Sequence, residues 1–231
     1  MFFSKKIKVD IYTSARHAYE INPIEKSIKF IPKWFKDLPK DFFLENNFFP
    51  TSTMRRCPGI IDLYTKGFIV PMWSDLAIKT TQQETIDYQF ADQQSIIDFH
   101  NHQQRGDYLN YKQYNHFKIV CPWYVETNED IDWIMVPCSW NHNPFDHHIS
   151  LGTMNLHRVP FLNIQCFVPY VDKTFIIEQG TPMIQLVPLS SKPIDLKLHL
   201  ITPEELEHRK KSNRISFTDS YRKVWKKRSE K

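Results

Sequence analysis

Short segments in which apolar and polar residues alternate run through much of the chain, and each predicts a β-strand with one buried face. The first of them covers residues 5–12. After a polar stretch at 105–115, strand-like segments return at regular spacing, at 117–125, 133–136, 148–154, 161–168, 174–178, 183–187 and 196–201. Proline, Asn or Asp stands in the turns between them. This arrangement predicts a mainly β fold, a jelly-roll-like sandwich, rather than alternating strands and helices.

The N-terminal half adds short helices to the strands. Prolines bracket one or two helical turns at 30–39, and a proline at the start with a glycine just past the end predicts a helix at 58–66. Residues 75–90 alternate with period two on both sides of a Gln-Gln pair, which predicts a hairpin. Segment 41–53 is rich in Phe and Asn without any period, so we predict a loop there.

The chain changes character at residue 202. Thr202, followed by Pro203 and two glutamates, is typical of a helix start, because the hydroxyl can cap the first turn and the acids favour its positive end. A second helical segment is predicted at 218–227. The sequence therefore predicts a sandwich domain over 1–201 and a basic helical tail over 202–231 that packs on it.

The net charge of +4 is concentrated in that tail. From residue 204 onward there are ten Lys or Arg against five Asp or Glu, a surplus of five, which leaves −1 for the preceding part of the chain. The most basic cluster consists of Arg222, Lys223, Lys226, Lys227 and Arg228. Such a cluster binds nucleic acid by releasing counterions from phosphates, and the nearby Tyr221 or Trp225 would stack on a base. The competing interpretation is that this segment docks on the sandwich and leaves its charges in water.

Composition argues against several common activities. There are 5 glycines and 15 prolines, and neither common type of glycine-rich phosphate loop occurs, so the usual nucleotide chemistry is not expected. The four cysteines form no C-x-x-C pair, which argues against a zinc ribbon or a dithiol redox site and favours reduced, buried thiols. The sequence shows no signal peptide and no membrane-spanning run. We therefore expect a cytoplasmic protein without membrane contact.

Several sequence segments together resemble a known group of proteins. They are Arg56–Ile60, Gly67–Pro71 with Trp73–Asp75, Lys118–Thr127 around Pro122-Trp123-Tyr124-Val125, Ile177–Pro188, and Tyr221–Lys227. Through them the chain, from about residue 30 to its end, resembles an uncharacterised family of tailed-phage and bacterial proteins of unknown function. The shared motifs look structural. The resemblance implies a phage-type accessory protein and carries no activity with it.

Two groups of histidines are candidate metal ligands. His100 and His102 have the H-x-H spacing that directs two imidazoles to the same side of a strand. The second group consists of Asp146, His147 and His148 with the distant His199. Two imidazoles and one carboxylate are the set that holds non-haem iron, but no H-x-D pair occurs, and a solvated polar loop is the competing interpretation for the first group. No cofactor is predicted, and Fe(II) or Zn would be the metal if these residues converge.

The tryptophans predict either core packing or an apolar pocket. A ligand pocket is typically apolar with a few convergent polar groups. The candidate pocket consists of Trp73, Asp75, Trp123, Gln165 and Gln185. Gln165 enters this set because strand 161–168 mixes amide and aromatic side chains on one face.

Three functions remain open on these grounds. The first is a β-sandwich module that binds a protein or a small ligand, as a structural accessory protein would. The second is a metal-dependent enzyme, of the non-haem iron oxygenase or cupin type, built on the histidines. The third is nucleic-acid binding through the tail.

Overall fold

The computed structural model of the chain describes residues 6–45, 48–104, 106, 110, 112–141 and 147–211. Strands dominate these residues, and the predicted mainly β, sandwich-like fold is confirmed. The strands are β1 (Ile7–Thr13), β2 (Glu25–Lys26), β3 (Asp41–Phe42), β4 (Thr51–Ser52), β5 (Phe68–Pro71), β6 (Leu76–Thr80), β7 (Ile86–Phe90), β8 (Ile97–Phe99), β9 (Tyr114–Thr127), β10 (Trp133–Pro137), β11 (His148–Ile149), β12 (Gly152–Met154), β13 (Phe161–Pro169), β14 (Lys173–Ile177), β15 (Pro182–Pro188) and β16 (Ile194–Leu200).

The helices are short and lie mostly in the N-terminal half. They are α1 (Arg16–Glu20), α2 (Lys33–Asp37), α3 (Pro58–Thr65) and α4 (203–211), with 3₁₀ turns at Ser27–Phe30, Met54–Arg56 and His102–Gln104. No helix in the described ranges is long and apolar enough to cross a lipid bilayer.

The first sheet is organised around β9, its longest strand. Its strand order is β11-β13-β9-β1-β16, and β8 pairs with β9 beyond the end of β1. β1 and β16 run parallel over seven residue pairs, from Ile7 opposite Ile194 to Thr13 opposite Leu200. The remaining pairs in this sheet are antiparallel. The first and last strands of the sandwich are therefore adjacent in the same sheet.

The other strands form a second sheet and two smaller ones. The second sheet has the order β12-β10-β15-β5-β2, and a third sheet consists of β14-β6-β7. β3 pairs with β4 in a separate two-stranded sheet.

A single large apolar cluster joins the first three sheets. Alternate residues of each strand point into it, as the two-residue period of a strand requires. Its fully buried members include Ile11, Phe117 and Ile164 from the first sheet, Phe68, Trp133 and Leu186 from the second, and Leu76 and Ile78 from the third. This core has the size that makes a domain stable without disulfides.

Most predicted elements are confirmed, one is wrong, and the strand predicted at 148–154 is divided into β11 and β12, which belong to different sheets. The hairpin predicted at 75–90 is β6 and β7, and the helix predicted at 58–66 is α3. At the predicted helix start of α4, the Thr202 hydroxyl accepts a hydrogen bond from the Glu205 amide at 3.2 Å, and the Glu205 carboxylate accepts one from the Thr202 amide at 3.0 Å. Segment 41–53, predicted as a loop, contains the β3–β4 pair instead. The second predicted tail helix lies outside the described residues.

Gly67, at the junction of α3 and β5, has no room for a side chain. Its φ angle is +67°, in the left-handed region, and a Cβ atom there would lie 1.7 Å from the carbonyl oxygen of Leu186. That carbonyl belongs to the neighbouring strand β15, which cannot withdraw without breaking its pairing with β5. Only glycine fits at this position.

We predict that Gly67→Ala lowers the free energy of unfolding by about 3 kcal/mol or more, because strain and a backbone clash add together. Gly106→Ala is the matched control, since Gly106 has a φ of +59° but no heavy atom within 4 Å of its Cβ position. Gly106→Ala should lower the free energy of unfolding by about 1 kcal/mol, because it adds backbone strain without a steric clash. Denaturant unfolding measures both, and equal losses in the two variants would contradict the steric explanation.

Candidate functional site

The five residues of the predicted pocket lie in separate surroundings. Trp73 and Trp123 are buried in the main core, and the Trp73 indole donates a 2.7 Å hydrogen bond to the Ser95 hydroxyl. Asp75 is exposed and accepts a 2.7 Å hydrogen bond from the amide of Gln179. Asp75 stabilises a turn, and the two tryptophans pack in the core, which is the first of the two roles predicted for them.

The two glutamines of the predicted pocket, Gln165 and Gln185, lie on strands of different sheets. The Gln185 amide group is buried and donates to the carbonyls of Leu63 and Lys66, at 2.7 and 2.8 Å. It thereby binds two main-chain carbonyls at the C-terminal end of α3, and the carbonyl of Leu63 also accepts a hydrogen bond from the main-chain amide of Lys66. Gln165 lies on the opposite side of the first sheet from the core, where its Oε1 is 2.8 Å from Nε2 of His116. The five side chains therefore line no common concavity.

Ser95 belongs to a polar network centred on Asp92. The Ser95 hydroxyl donates to one carboxylate oxygen at 2.6 Å, and Nε2 of His17 lies 3.2 Å from the same oxygen. Burial acts to raise the pKa of Asp92, but hydrogen bonds from Ser95 and from the amide of Gln94 outweigh it, so the pKa is lowered. The carboxylate stands between the serine and the imidazole. A catalytic triad needs the imidazole between them, so this geometry does not activate the serine.

Two of the predicted metal ligands lie in a row of stacked rings on the outer face of the first sheet. The His100 and His116 rings are 4.4 Å apart, those of His116 and Phe167 are 4.2 Å apart, and His148 lies 6.0 Å from Phe167. The first two pairs are nearly parallel, at 24° and 6°. Ring nitrogens bind metals in the plane of the ring, so face-to-face stacking keeps their lone pairs from converging on one ion.

The other predicted ligands do not join this row as a ligand set. His199 lies elsewhere on the sheet, with Nε2 at 2.8 Å from Oδ1 of Asp10, and His147 is buried. Asp146 and the side chain of His102 lie outside the described residues. Within the described ranges, no three His, Cys, Asp or Glu side chains are close enough together to hold a metal ion.

Helix α4 docks on the outer face of the first sheet beside His199. The Arg209 guanidinium lies 3.9 Å from the centre of the Tyr12 ring, and its Nη1 is 3.0 and 3.2 Å from the two carboxylate oxygens of Glu126. The Tyr12 ring stacks on His199 with centres 4.7 Å apart. Burial and the negative charge of Glu126 raise the pKa of Tyr12, so the phenol stays neutral.

A shallow cleft of about 410 Å³ opens along this helix, lined by Glu126, Ile201, Glu205, His208 and Arg209. Three of its polar groups are already engaged, because Glu126 binds Arg209 and Glu205 caps the helix. Beneath α4, Leu206 packs against the rings of Tyr12 and Tyr124. The contacts in this region hold the helix on the sheet. The five predicted nucleic-acid contacts of the tail, Arg222, Lys223, Lys226, Lys227 and Arg228, lie outside the described residues.

A feature that the sequence did not predict is an apolar arm, which consists of residues 41–45 and 48–52 and includes β3 and β4. Its base is held firmly. The Thr53 amide donates to the Lys40 carbonyl at 3.0 Å and the Thr53 hydroxyl donates to the carbonyl of Pro39, while the Arg55 guanidinium donates to the carbonyl of Leu38 at 2.9 Å. These bonds join the chain segment that enters the arm to the segment that leaves it, so they close its base.

The apolar arm also carries an ion pair at its base. Arg56 Nη2 lies 2.5 Å from Oδ2 of Asp41, and the Ser52 hydroxyl donates to the other oxygen of that carboxylate at 3.2 Å. Asp41 and Ser52 are opposite each other in the β3–β4 pair. Side-chain interactions thus link the two strands at the same place as the main-chain hydrogen bonds do.

Beyond this base, the apolar arm exposes large side chains to solvent. The exposed fractions are 97% for Phe48, 81% for Phe49 and 73% for Phe43, and Phe42 and Leu44 are about half exposed. Two Phe-Phe pairs separated by four residues, in a segment without strand or helix period, are the sequence signal of this feature. Singly exposed apolar residues are ordinary on protein surfaces, whereas a contiguous group marks an interaction site.

The charges around the apolar arm are unevenly placed. Lys36 and Lys40 are exposed near its base, and Glu45 is exposed near its tip. None of these three forms an ion pair within the described part of the chain. The arm is thus positive at one end and negative at the other.

The cysteines are all free, but they do not share one environment. Cys121, Cys138 and Cys166 are buried, as expected, and burial raises the pKa of each thiol, that of Cys138 to about 12. Cys57 is exposed, so the prediction of buried thiols is wrong for it. Its position just before α3 places it at the surface.

No family model matches the chain, and neither the curated proteins nor the solved structures contain a match to it.

We predict that one thiol of the native protein reacts rapidly with a disulfide reagent such as Ellman's reagent, and that the other three react only on unfolding. The reason is that the thiolate is the nucleophile, and burial disfavours it at the other three sites. Counting the reacted thiols before and after adding denaturant tests this. Cys57→Ser should abolish the fast reaction, and a fast reaction that survives this substitution would contradict the assignment.

Proposed function

We propose that this protein is a binding module that engages a protein partner through the apolar arm, with the β-sandwich as its rigid support. The observation that carries the proposal is the contrast between the hydrogen-bonded base of the arm and its exposed Phe43, Phe48 and Phe49. A binding loop on a rigid scaffold is a common way to build an interaction site. The sequence resemblance to an uncharacterised family of tailed-phage and bacterial proteins implies an accessory role, and such a role is compatible with this proposal.

The exposed area supports the proposal through its size. Five large side chains at these exposures present roughly 600 Å² of apolar surface, taking about 180 Å² for each. Leaving that area in water is less favourable than burying it by roughly 15 kcal/mol. The largest apolar patch on a typical monomer covers about 300–600 Å² and is often functional.

The chemistry of the apolar arm favours binding over catalysis. The large apolar side chains that it exposes are phenyl and isobutyl groups, which offer contact area and no proton to transfer. Phe rings also lose little conformational freedom on binding, because they rotate about two bonds only. The metal-dependent enzyme and the nucleic-acid binder remain proposals from the sequence, and each depends in part on residues outside the described ranges.

A photo-crosslinking amino acid in place of Phe48 tests the proposal. A benzoyl-phenylalanine side chain keeps the aromatic character of this site, and we expect irradiation of the producing cells to yield crosslinked species of higher mass. The matched control carries the same amino acid in place of Ile176, which is 68% exposed on β14. That position should give little or no product.

The specificity of the crosslink decides the test. Phe43→Ser together with Phe49→Ser should abolish it, because these side chains form the rest of the same surface. Equal yields at positions 48 and 176, or no product at either, would refute binding through the apolar arm.

A further inference from the structure

We infer that the protein bound by the apolar arm is a second copy of this chain, in a two-fold symmetric dimer whose two arms lie antiparallel, tip against base. This inference rests on the proposed function and adds the identity of the partner. Three observations support it: the area of the arm, its charge distribution and its unpaired strand edges.

The area matches one side of a dimer interface. A standard interface buries about 800 Å² on each partner. The apolar arm offers roughly 600 Å² by itself, and the exposed Met54, in the turn that follows β4, extends the same surface. In a two-fold dimer both copies contribute this patch, so no second, different binding surface is needed.

The charges make the apolar arm complementary to itself. Glu45 lies near the tip, whereas Lys36 and Lys40 lie near the base. When two arms lie antiparallel, Glu45 of each copy faces the lysines of the other copy. Two-fold symmetry forms this attraction twice. A parallel arrangement would bring like charges together, so the charges select the antiparallel one.

The strand edges of the apolar arm are open to pairing. β3 and β4 bond only to each other among the described residues, so each keeps one unpaired edge. An isolated two-stranded hairpin is marginally stable in water, and an open edge is a template for another strand. A second arm placed alongside would supply both the missing hydrogen bonds and apolar cover.

An anionic membrane is the main competing occupant, because exposed Phe side chains with lysines at their base also suit a lipid surface. Glu45 disfavours it, since this carboxylate lies beside the tip, where a bilayer carries negative headgroups. The same carboxylate is attractive in the dimer. The position of Glu45 therefore favours a second copy of the chain over a membrane as the partner of the arm.

A charge exchange tests the dimer directly. Sedimentation equilibrium of the purified protein should show a reversible association to twice the mass of one chain. Glu45→Lys and Lys40→Glu should each raise the dissociation constant by roughly tenfold, because each repels its counterpart at two symmetric positions. The double variant, which carries both changes, should restore affinity to within a few-fold of the original.

Phe48→Ser with Phe49→Ser should leave the protein monomeric at every concentration, with an unchanged denaturant midpoint for the monomer, since both side chains lie in solvent. Ile176→Ser is the control and should dimerise normally. The dimer is overturned if the unaltered chain stays monomeric, if the Phe changes leave association intact, or if the charge exchange fails to restore it.

The crosslink at position 48 separates this inference from the function it rests on. A product of twice the chain mass supports the dimer. A product that contains a different protein upholds binding through the arm and overturns the dimer, and no product refutes both. Sedimentation with vesicles rich in phosphatidylserine completes the set, because vesicle binding that requires Phe48 and Phe49 would identify a membrane as the occupant and overturn the inference.

Discussion

The parallel pairing of β1 with β16 is the constraint on which the rest of the fold depends. Seven residue pairs join the first and last described strands of the sandwich, so almost every other element lies within one loop of the chain. β1 also pairs with β9, which in turn aligns β8 and β13. Contacts so distant along the sequence are costly in chain entropy, and the shared apolar core offsets that cost only when both sheets are in place.

The outer face of the first sheet is covered by a helix and by aromatic rings. At one end α4 covers it through Leu206 and the Arg209–Glu126 ion pair, and towards the other end stacked rings line it. The polar groups described there mostly bind one another. The apolar arm differs from this pattern, because its base is fully bonded and its tip is left in water. That difference is the reason why we propose the arm as the binding surface.

Sequence patterns predicted the elements whose signals are local. The alternation in β13, the hairpin of β6 and β7, and the cap of α4 at Thr202 depend on neighbouring residues only, and they were found. The β1–β16 pairing has no local signal, because strand partners are chosen by the whole core. Trp73 was assigned to a pocket because residue type alone does not distinguish an indole in the core from one that contacts a ligand. Gln185 was assigned to it because the sequence does not show whether an amide faces a cavity or binds the end of a helix.

The bonds at the base of the apolar arm have an evolutionary consequence. Thr53 and Arg55 bind main-chain carbonyls of residues 38–40, and those carbonyls are present whatever side chains stand beyond them. The tip is thereby uncoupled from the sandwich, since substitutions there change neither the core nor the closure of the hairpin. Under the proposed binding function, the exposed residues of the arm can be exchanged to change specificity while the core stays the same.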